Sequence, residues 1–381
     1  MAAPELAARL VRLLIGPLLA AGVLAGVVPA AVGAVSGVPA GVAVLPAAGA
    51  LNGVAASSAR NAWAVGMAGS RTLIARWNGR VWQREAVSGR AASGSLWGVA
   101  ATSARNAWAV GSSGTSKLLI LHWNGTVWKR APGTTATASG ILYGVAATSA
   151  RNAWAVGSSG SAAGDKTLIM RWNGTGWKRA RVPAAVADGS LNAVAAASAK
   201  DAWAVGSAAS GKTLILRWNG GRWKRFPSPG PAGVLYGVAA TSARNAWAVG
   251  LADSAAGTET LILRWNGTRW KQVRSASPRA GGRLYAVAAS GPDAWAVGEA
   301  GEPESGGPLI LRWTGTAWKR VRSPGDPTGG NFLAAVAAVS ARSAWAVGAE
   351  GLCCAETVTL IARWNGKAWK SQPFAQKSAG G

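Results

Sequence analysis

Trp-Ala-Val-Gly occurs seven times in this chain, beginning at Trp63, Trp108, Trp154, Trp203, Trp247, Trp295 and Trp345. Successive copies lie 45, 46, 49, 44, 48 and 50 residues apart. Two further tryptophans keep step with each copy. One opens Trp-Asn-Gly at Trp77, Trp123, Trp172, Trp218, Trp265 and Trp364, or Trp-Thr-Gly at Trp313. The other follows five residues later, at Trp82, Trp128, Trp177, Trp223, Trp270, Trp318 and Trp369. Twenty-one of the 22 tryptophans thus fill three fixed slots, and only Trp97 stands outside them. A chain made of one short unit repeated must bury each unit against its neighbours, because no unit has a core of its own. A period of about 40 to 50 residues, all short apolar segments and turns, is that of a β-propeller blade.

The third unit shows how a blade is written. Leu142 to Ala147 reads as strand A, Ala153 to Gly157 as strand B, Thr167 to Trp172 as strand C, and the segment around Trp177-Lys178-Arg179 as strand D. No segment between the glycines sustains a 3.6-residue apolar period, so helices are excluded. Asn173-Gly174 predicts a two-residue hairpin turn that sets Trp172 opposite Thr175 and Met170 opposite Trp177. Leu168 and both tryptophans then share one face of the sheet, with Ile169 on the other. Apolar residues on both faces are what a sheet sandwiched between two neighbours requires. The prediction is an all-β, seven-bladed propeller of four-stranded antiparallel blades over residues 51–374. Its blades fall at about 51–87, 96–132, 142–183, 191–229, 235–278, 284–324 and 333–374. Closure into a ring removes exposed strand edges, and the pattern indicates no exchanged strand to latch it.

Composition narrows the class further. One His and two adjacent Cys, Cys353 and Cys354, cannot furnish a His/Cys metal cluster or a multi-disulfide scaffold. No cofactor or metal is expected; the vicinal cysteines could close a strained disulfide, stay free or pair with another chain. Arg9 and Arg12 precede an uncharged, Leu/Ala/Val-rich stretch from Leu13 to Val28, and Val32-Gly33-Ala34 offers a small-residue cleavage site. That order reads as a secretory signal peptide over 1–34, followed by a linker over 35–50 and, at the far end, a tail over 375–381. The mature protein is expected to be extracellular or at the cell surface, monomeric and without a membrane span.

The repeated Leu-x-x-Val-Ala-Ala, Ala-Trp-Ala-Val-Gly, Leu-Ile-Leu-Arg-Trp-Asn-Gly and Trp-Lys segments resemble those of secreted, Trp-rich seven-bladed propellers of actinobacterial type. Their organisation is loosely similar to kelch and galactose-oxidase propellers. The resemblance implies architecture rather than activity. The paired glycines of kelch strand B and the Gly-His and Trp-Asp pairs of WD-type units are missing. Copper oxidase chemistry needs two His and a Tyr crosslinked to Cys, whereas this chain has His122 alone.

Loop lengths divide the ring into two rims. The strand A Leu and the Trp of strand B are 12 residues apart in six units and 11 in the sixth, whereas the gap between strand B Gly and strand C Leu runs from 6 to 11. Variation is therefore concentrated on the rim of B-C and D-A loops, where a rigid scaffold tolerates functional loops. Ten of the 13 acidic residues other than Glu5 fall there: Asp165, Asp188, Asp253, Glu259, Glu299, Glu302, Glu304, Asp326, Glu350 and Glu356. The constant rim repeats Arg60, Arg105, Arg151, Lys200, Arg244 and Arg342 in a chain of formal net charge +26. Such a rim could attract acidic cell-envelope or cell-wall polymers, acidic polysaccharide, anionic lipid or nucleic acid, or could simply be solvated.

The residue after the strand A Leu is Asn52, Trp97, Tyr143, Asn192, Tyr236, Tyr285 and Ala334 in turn. Strand A is innermost and enters from the variable rim, so these side chains are expected to surround the channel mouth. Aromatic faces and Asn amides suit sugar rings, although the same residues could merely wedge between blades. His122 occupies a slot that is otherwise Arg and reads as a drifted surface cation. The strand C arginines beside Trp could form cation-π contacts, and a nucleic-acid platform is the minority reading. No catalytic constellation is present. Glu302 and Glu304 with Glu350 would be the carboxylates of an alternative hydrolase or lyase. The expectation is a secreted, non-catalytic propeller that binds a glycan or a protein through the variable rim and channel mouth.

Overall fold

Each repeat folds into a four-stranded antiparallel sheet, and seven such sheets account for the repeats. The structure, a computed structural model, describes residues 43–44 and 48–376 apart from 88, 115, 134–138, 162–163, 256, 276–277, 279–280, 302–305, 326, 328 and 352–356. The leader, most of the linker, Cys353 and Cys354, Glu302, Glu304, Asp326, Glu356 and residues 377–381 lie outside the described residues. In blade 3, strand A is Ile141–Ser149, strand B Asn152–Ser161, strand C Gly164–Trp172 and strand D Trp177–Arg179. Among the described residues the only helices are 3-10 turns at Gly89–Ala92 and Ala184–Val186.

The strands A of successive blades pack against one another around the ring, and that of blade 7, Phe332–Ser340, packs against that of blade 1, Ala50–Ser58. This innermost contact admits little side chain. A Cβ on Gly98 would come 2.9 Å from the Tyr143 carbonyl oxygen of the next blade. The glycine of Trp-Ala-Val-Gly has its own reason: a Cβ on Gly157 would overlap the Ile141 carbonyl oxygen of strand A.

Both faces of each blade are buried, as the two-sided apolar pattern requires. Leu168, Met170, Trp172 and Trp177 share a buried cluster with Trp108 of blade 2. Ile169, Trp154 and Val156 share another with Trp218 and Trp223 of blade 4. At every seam the strand B indole of one blade sits 4.8–4.9 Å from the strand C indole and 5.0–5.2 Å from the strand D indole of the next. These are tilted and edge-to-face arrangements, which the ring quadrupole favours. The strand C arginines lie 4.9–5.5 Å over two indoles each, one from either blade. His122 takes that place in blade 2. It stacks 4.1 Å from Trp108 and lies 2.8 Å from Asn106 Oδ1. Half-burial lowers its pKa below the ordinary value, so it is not the cation that its slot suggests.

The C-D hairpin departs from the expected register. Trp172 pairs directly with Trp177, and Met170 pairs with Arg179. The turn is displaced by one residue because the Asn173 side chain organises it: its Oδ1 accepts from the backbone N–H of Thr175 and of Gly176, at 3.0 and 2.9 Å. Both tryptophans still share one face. The strand C indole adds a constraint on the other turn, since Trp172 Nε1 donates to the Ala150 carbonyl at 3.0 Å, and the same bond recurs from Trp77 to Ala59. An A-B turn of fixed length follows from that bond.

The ring does have a latch, which the repeat pattern concealed. Phe374–Gln376 forms a strand that pairs in parallel with the outer strand of blade 1, Trp82–Arg84, and Ala43–Val44 pairs with its far side. The N-terminal segment meanwhile returns to blade 7, where Gly49 N–H donates to the Thr357 carbonyl at 2.9 Å. That bond reproduces the one between Gly94 and Ser70 at the first covalent seam. Phe374 is 2% exposed, in one cluster with Trp77, Trp82 and Trp345. Phe374→Ala is expected to lower stability by about 3–5 kcal/mol in urea unfolding, the usual cost of emptying such a site. A loss under about 1 kcal/mol would mean that the chain end takes no part in closure.

Candidate binding site at the channel mouth

In every strand A the pairing with strand B skips the residue that follows the Leu. The skipped residues are Asn52, Trp97, Tyr143, Asn192, Tyr236, Tyr285 and Ala334. A β-bulge leaves its extra residue unpaired and re-aims its side chain, and here the same bulge recurs in seven neighbouring strands. The whole set predicted from sequence therefore occupies one structural position, partly exposed at the inner edge of the blades.

The members do not all remain available. Asn52 Nδ2 donates to the Leu96 carbonyl of blade 2, and Asn192 Nδ2 to the Leu235 carbonyl of blade 5, each at 2.9 Å. These two amides tie adjacent blades together. The aromatic members gather instead into two arcs. Trp97 and Tyr143 lie with ring centroids 6.4 Å apart, and Tyr236 lies 5.6 Å from Tyr285, which is 6.0 Å from Phe332. Phe332, from the slot before the strand A Leu, extends the second arc and was not anticipated.

Two charged residues behind that second arc were also missed as a pair. Arg283 Nη1 lies 2.7 Å from Glu299 Oε1, and the two residues face each other across strands A and B of blade 6. The Glu299 side chain is only 3% exposed, and the residue lies in strand B, Asp293–Ala300, and not in the loop assigned to it from the sequence. Tyr285 is hydrogen-bonded to Glu299 as well. Burial, then the nearby Glu299 charge, holds the Tyr285 phenol well above its ordinary pKa, and burial does the same for Tyr236. Both phenols therefore stay protonated at neutral pH, as hydroxyls able to donate and accept. The signal was present in the sequence. In the slot of Arg283 the other blades carry Ala50, Ser95, Ile141, Ser190, Val234 and Phe332, and in the slot of Glu299 they carry Met67, Ser112, Ser158, Ser207, Leu251 and Ala349. A cation and an anion that appear once each, at directly opposed positions, predict a pair.

The arrangement presents aromatic faces beside a fixed Tyr–Glu–Arg network at the start of strands A, on the rim of variable loops. It offers apolar contact and directional hydrogen bonds from a rigid frame. The Glu299 side chain is engaged by Arg283 and by Tyr285 behind the aromatic rings. Among the described residues no three His, Cys, Asp or Glu side chains converge as a metal site, and no helix is long and apolar enough to cross a membrane.

Solved structures resemble this fold at low identity. YCF48 bound to D1 peptide aligns with a TM-score of 0.57 and 14% identity over 85% of this chain and 95% of that one. The BP39L lectin from Burkholderia pseudomallei aligns at 0.56 and 14% over 87% and 99%, and the WD40 β-propeller domain of Doa1 at 0.56 and 12% over 84% and 95%. At these identities the likeness is one of fold. No protein-family model and no curated protein matches the chain.

Removing one partner of the Arg283–Glu299 pair is expected to cost far more than removing both. Glu299→Leu alone should destabilise by about 3–5 kcal/mol, because Arg283 is left buried without its counter-ion. Arg283→Val with Glu299→Leu, which copies Val234 and Leu251 of blade 5, should return to within about 1 kcal/mol of the parent. Chemical denaturation of the three proteins measures the difference. Equal losses in the single and double variants would contradict a buried, mutually compensated pair.

Proposed function

We propose that the chain is a secreted, non-catalytic recognition propeller that binds an extracellular glycan at the channel mouth, with the variable loops as the surrounding rim. The observation that carries this reading is the sevenfold bulge, at which the only off-pattern tryptophan and all three tyrosines of the chain occupy one recurring position in the innermost strands. A sugar ring has apolar C–H faces and polar edges, and the Trp97–Tyr143 and Tyr236–Tyr285–Phe332 arcs with their Tyr–Glu–Arg backing offer the complement to both. That a lectin and a peptide-bound protein share the fold is in keeping with a recognition scaffold and does not choose between glycan and protein.

The secretory reading rests on the basic, apolar and small-residue order of the first 34 residues, and loss of that segment on export is part of the proposal. A hydrolase or lyase on the same scaffold would require two suitably spaced carboxyl groups at the mouth. Glu299, the carboxylate placed there, is already engaged by Arg283 and Tyr285.

Glycan-array binding by the purified chain tests the reading. Trp97→Ala with Tyr236→Ala is expected to weaken the strongest glycan signal by roughly tenfold or more per ring removed, the scale of one good aromatic contact, while the unfolding midpoint confirms a folded protein. Unchanged binding by the folded double variant would remove the basis of the proposal. Release of reducing ends from a bound glycan would favour the enzyme instead.

A further inference from the structure

The seam between blades 3 and 4 differs from the others. At the third position after the strand D tryptophan, blade 4 carries Phe226, whose ring packs 5.3 Å from Trp203 and 5.5 Å from Trp265 and fills the seam to blade 5. At the seam between blades 7 and 1, Phe374 is buried in the corresponding cluster. Blades 2 and 3 both have only Ala in this slot, Ala131 and Ala180; the chain after Ala131 covers its seam, with Pro132 accepting from the Trp177 N–H of blade 3, whereas beside Ala180 a groove of about 1070 Å³ remains open along the outer edge and the constant rim. That is the size of the largest small-molecule sites, roughly 300–1,000 Å³ being typical.

Its walls are cationic on both sides. Lys178, Arg179 and Arg181 line one side, and Arg222, Lys224 and Arg225 line the other. No Asp or Glu is among the described residues lining it. At its floor, Arg171 lies 5.0 Å over both Trp154 and Trp218. The equivalent arginines of blades 4 and 6 are neutralised by Asp201 at 2.7 Å and Asp293 at 3.1 Å, but the residue in that slot of blade 3 is Asn152. The buried Arg171 Nε has no hydrogen-bond partner. Cations concentrated in a concave site without compensating acids attract and hold polyanions.

The occupant's class follows from what the groove lacks. Trp154, Trp172, Trp218 and Trp223 are 0–7% exposed, so no indole face is free for a base to stack upon, which is the main contact of single-strand binders. The Trp177 backbone N–H at the edge of blade 3 is already donated to the Pro132 carbonyl at 3.3 Å, so this point of the edge is closed to an added peptide strand. We propose that this groove binds a linear acidic polysaccharide, a sugar chain with carboxylate or sulfate groups along both edges, as a second site apart from the channel mouth.

Polygalacturonate binding to the full chain at near-physiological salt tests this, with two triple variants of equal charge loss. One carries Arg179→Gln, Arg181→Gln and Arg222→Gln in the groove. The other carries Arg60→Gln, Arg105→Gln and Arg342→Gln, exposed on the same rim in other blades. The groove variant is expected to bind about tenfold or more weakly and the other to lose less than about threefold, because only the first removes short-range contacts. Trp97→Ala with Tyr236→Ala should leave this binding unchanged, which separates the groove from the mouth. Equal weakening in the two triple variants would reduce the effect to overall charge and overturn the proposal. So would failure to bind polygalacturonate, or tighter groove-dependent binding of an oligothymidylate or a polyglutamate.

Discussion

The insertion of one blade's strand B indole between the strand C and strand D indoles of the next is the contact on which the ring depends. A lone four-stranded sheet of this sequence would expose an apolar row on each face, and neither row has a partner within its own repeat. The indoles supply area, and their tilted and edge-to-face placement adds roughly 0.5–1.5 kcal/mol per pair beyond that area. Arginine stems cover the indoles from the constant rim while each guanidinium bridges rings of two blades, a cation-π contact that gains strength as water is excluded. Seven copies of one geometry leave no blade as an end.

Rigidity at the seams leaves the innermost strands free to carry variation. The bulge after the strand A leucine is part of the frame, yet the side chain it turns out is not fixed by the frame, so Asn, Trp, Tyr and Ala all occur there. Where that residue is Asn it has been drawn into blade-to-blade bonds. Where it is aromatic it packs against the ring of a neighbouring blade, and in blade 6 the Arg283–Glu299 pair lies beside it. The same logic applies at the periphery. Phe226 and Phe374 close their seams, whereas the seam beside Ala180 stays open and is bordered by arginines.

Much of this was legible in the sequence because repetition makes slots visible. Blade number, strand order, the two-faced burial of the sheets and the gathering of the off-pattern aromatic residues all follow from aligned positions. What was illegible depends on features without a repeat. The latch is a three-residue strand after the last copy, and nothing in Phe374-Ala375-Gln376 announces that it pairs with a blade more than 280 residues earlier. The C-D pairing is shifted by two residues, Trp172 meeting Trp177 in place of Thr175, because Asn173 acts through its side chain, where the dipeptide suggested a backbone turn. His122 was read from its slot as a cation, but the burial that lowers its pKa is a property of the seam.

The ring is closed by indole contacts without a covalent link. Trp345 of blade 7 and Trp77 of blade 1 lie 4.8 Å apart across the seam that joins the chain's ends. A double-mutant cycle with Trp345→Leu and Trp77→Leu, read by denaturant unfolding, measures that contact directly. A coupling of about 0.5–1.5 kcal/mol is predicted. Strict additivity of the two losses would mean that the blades at this seam do not meet through their indoles, and a closed ring of this kind would be contradicted.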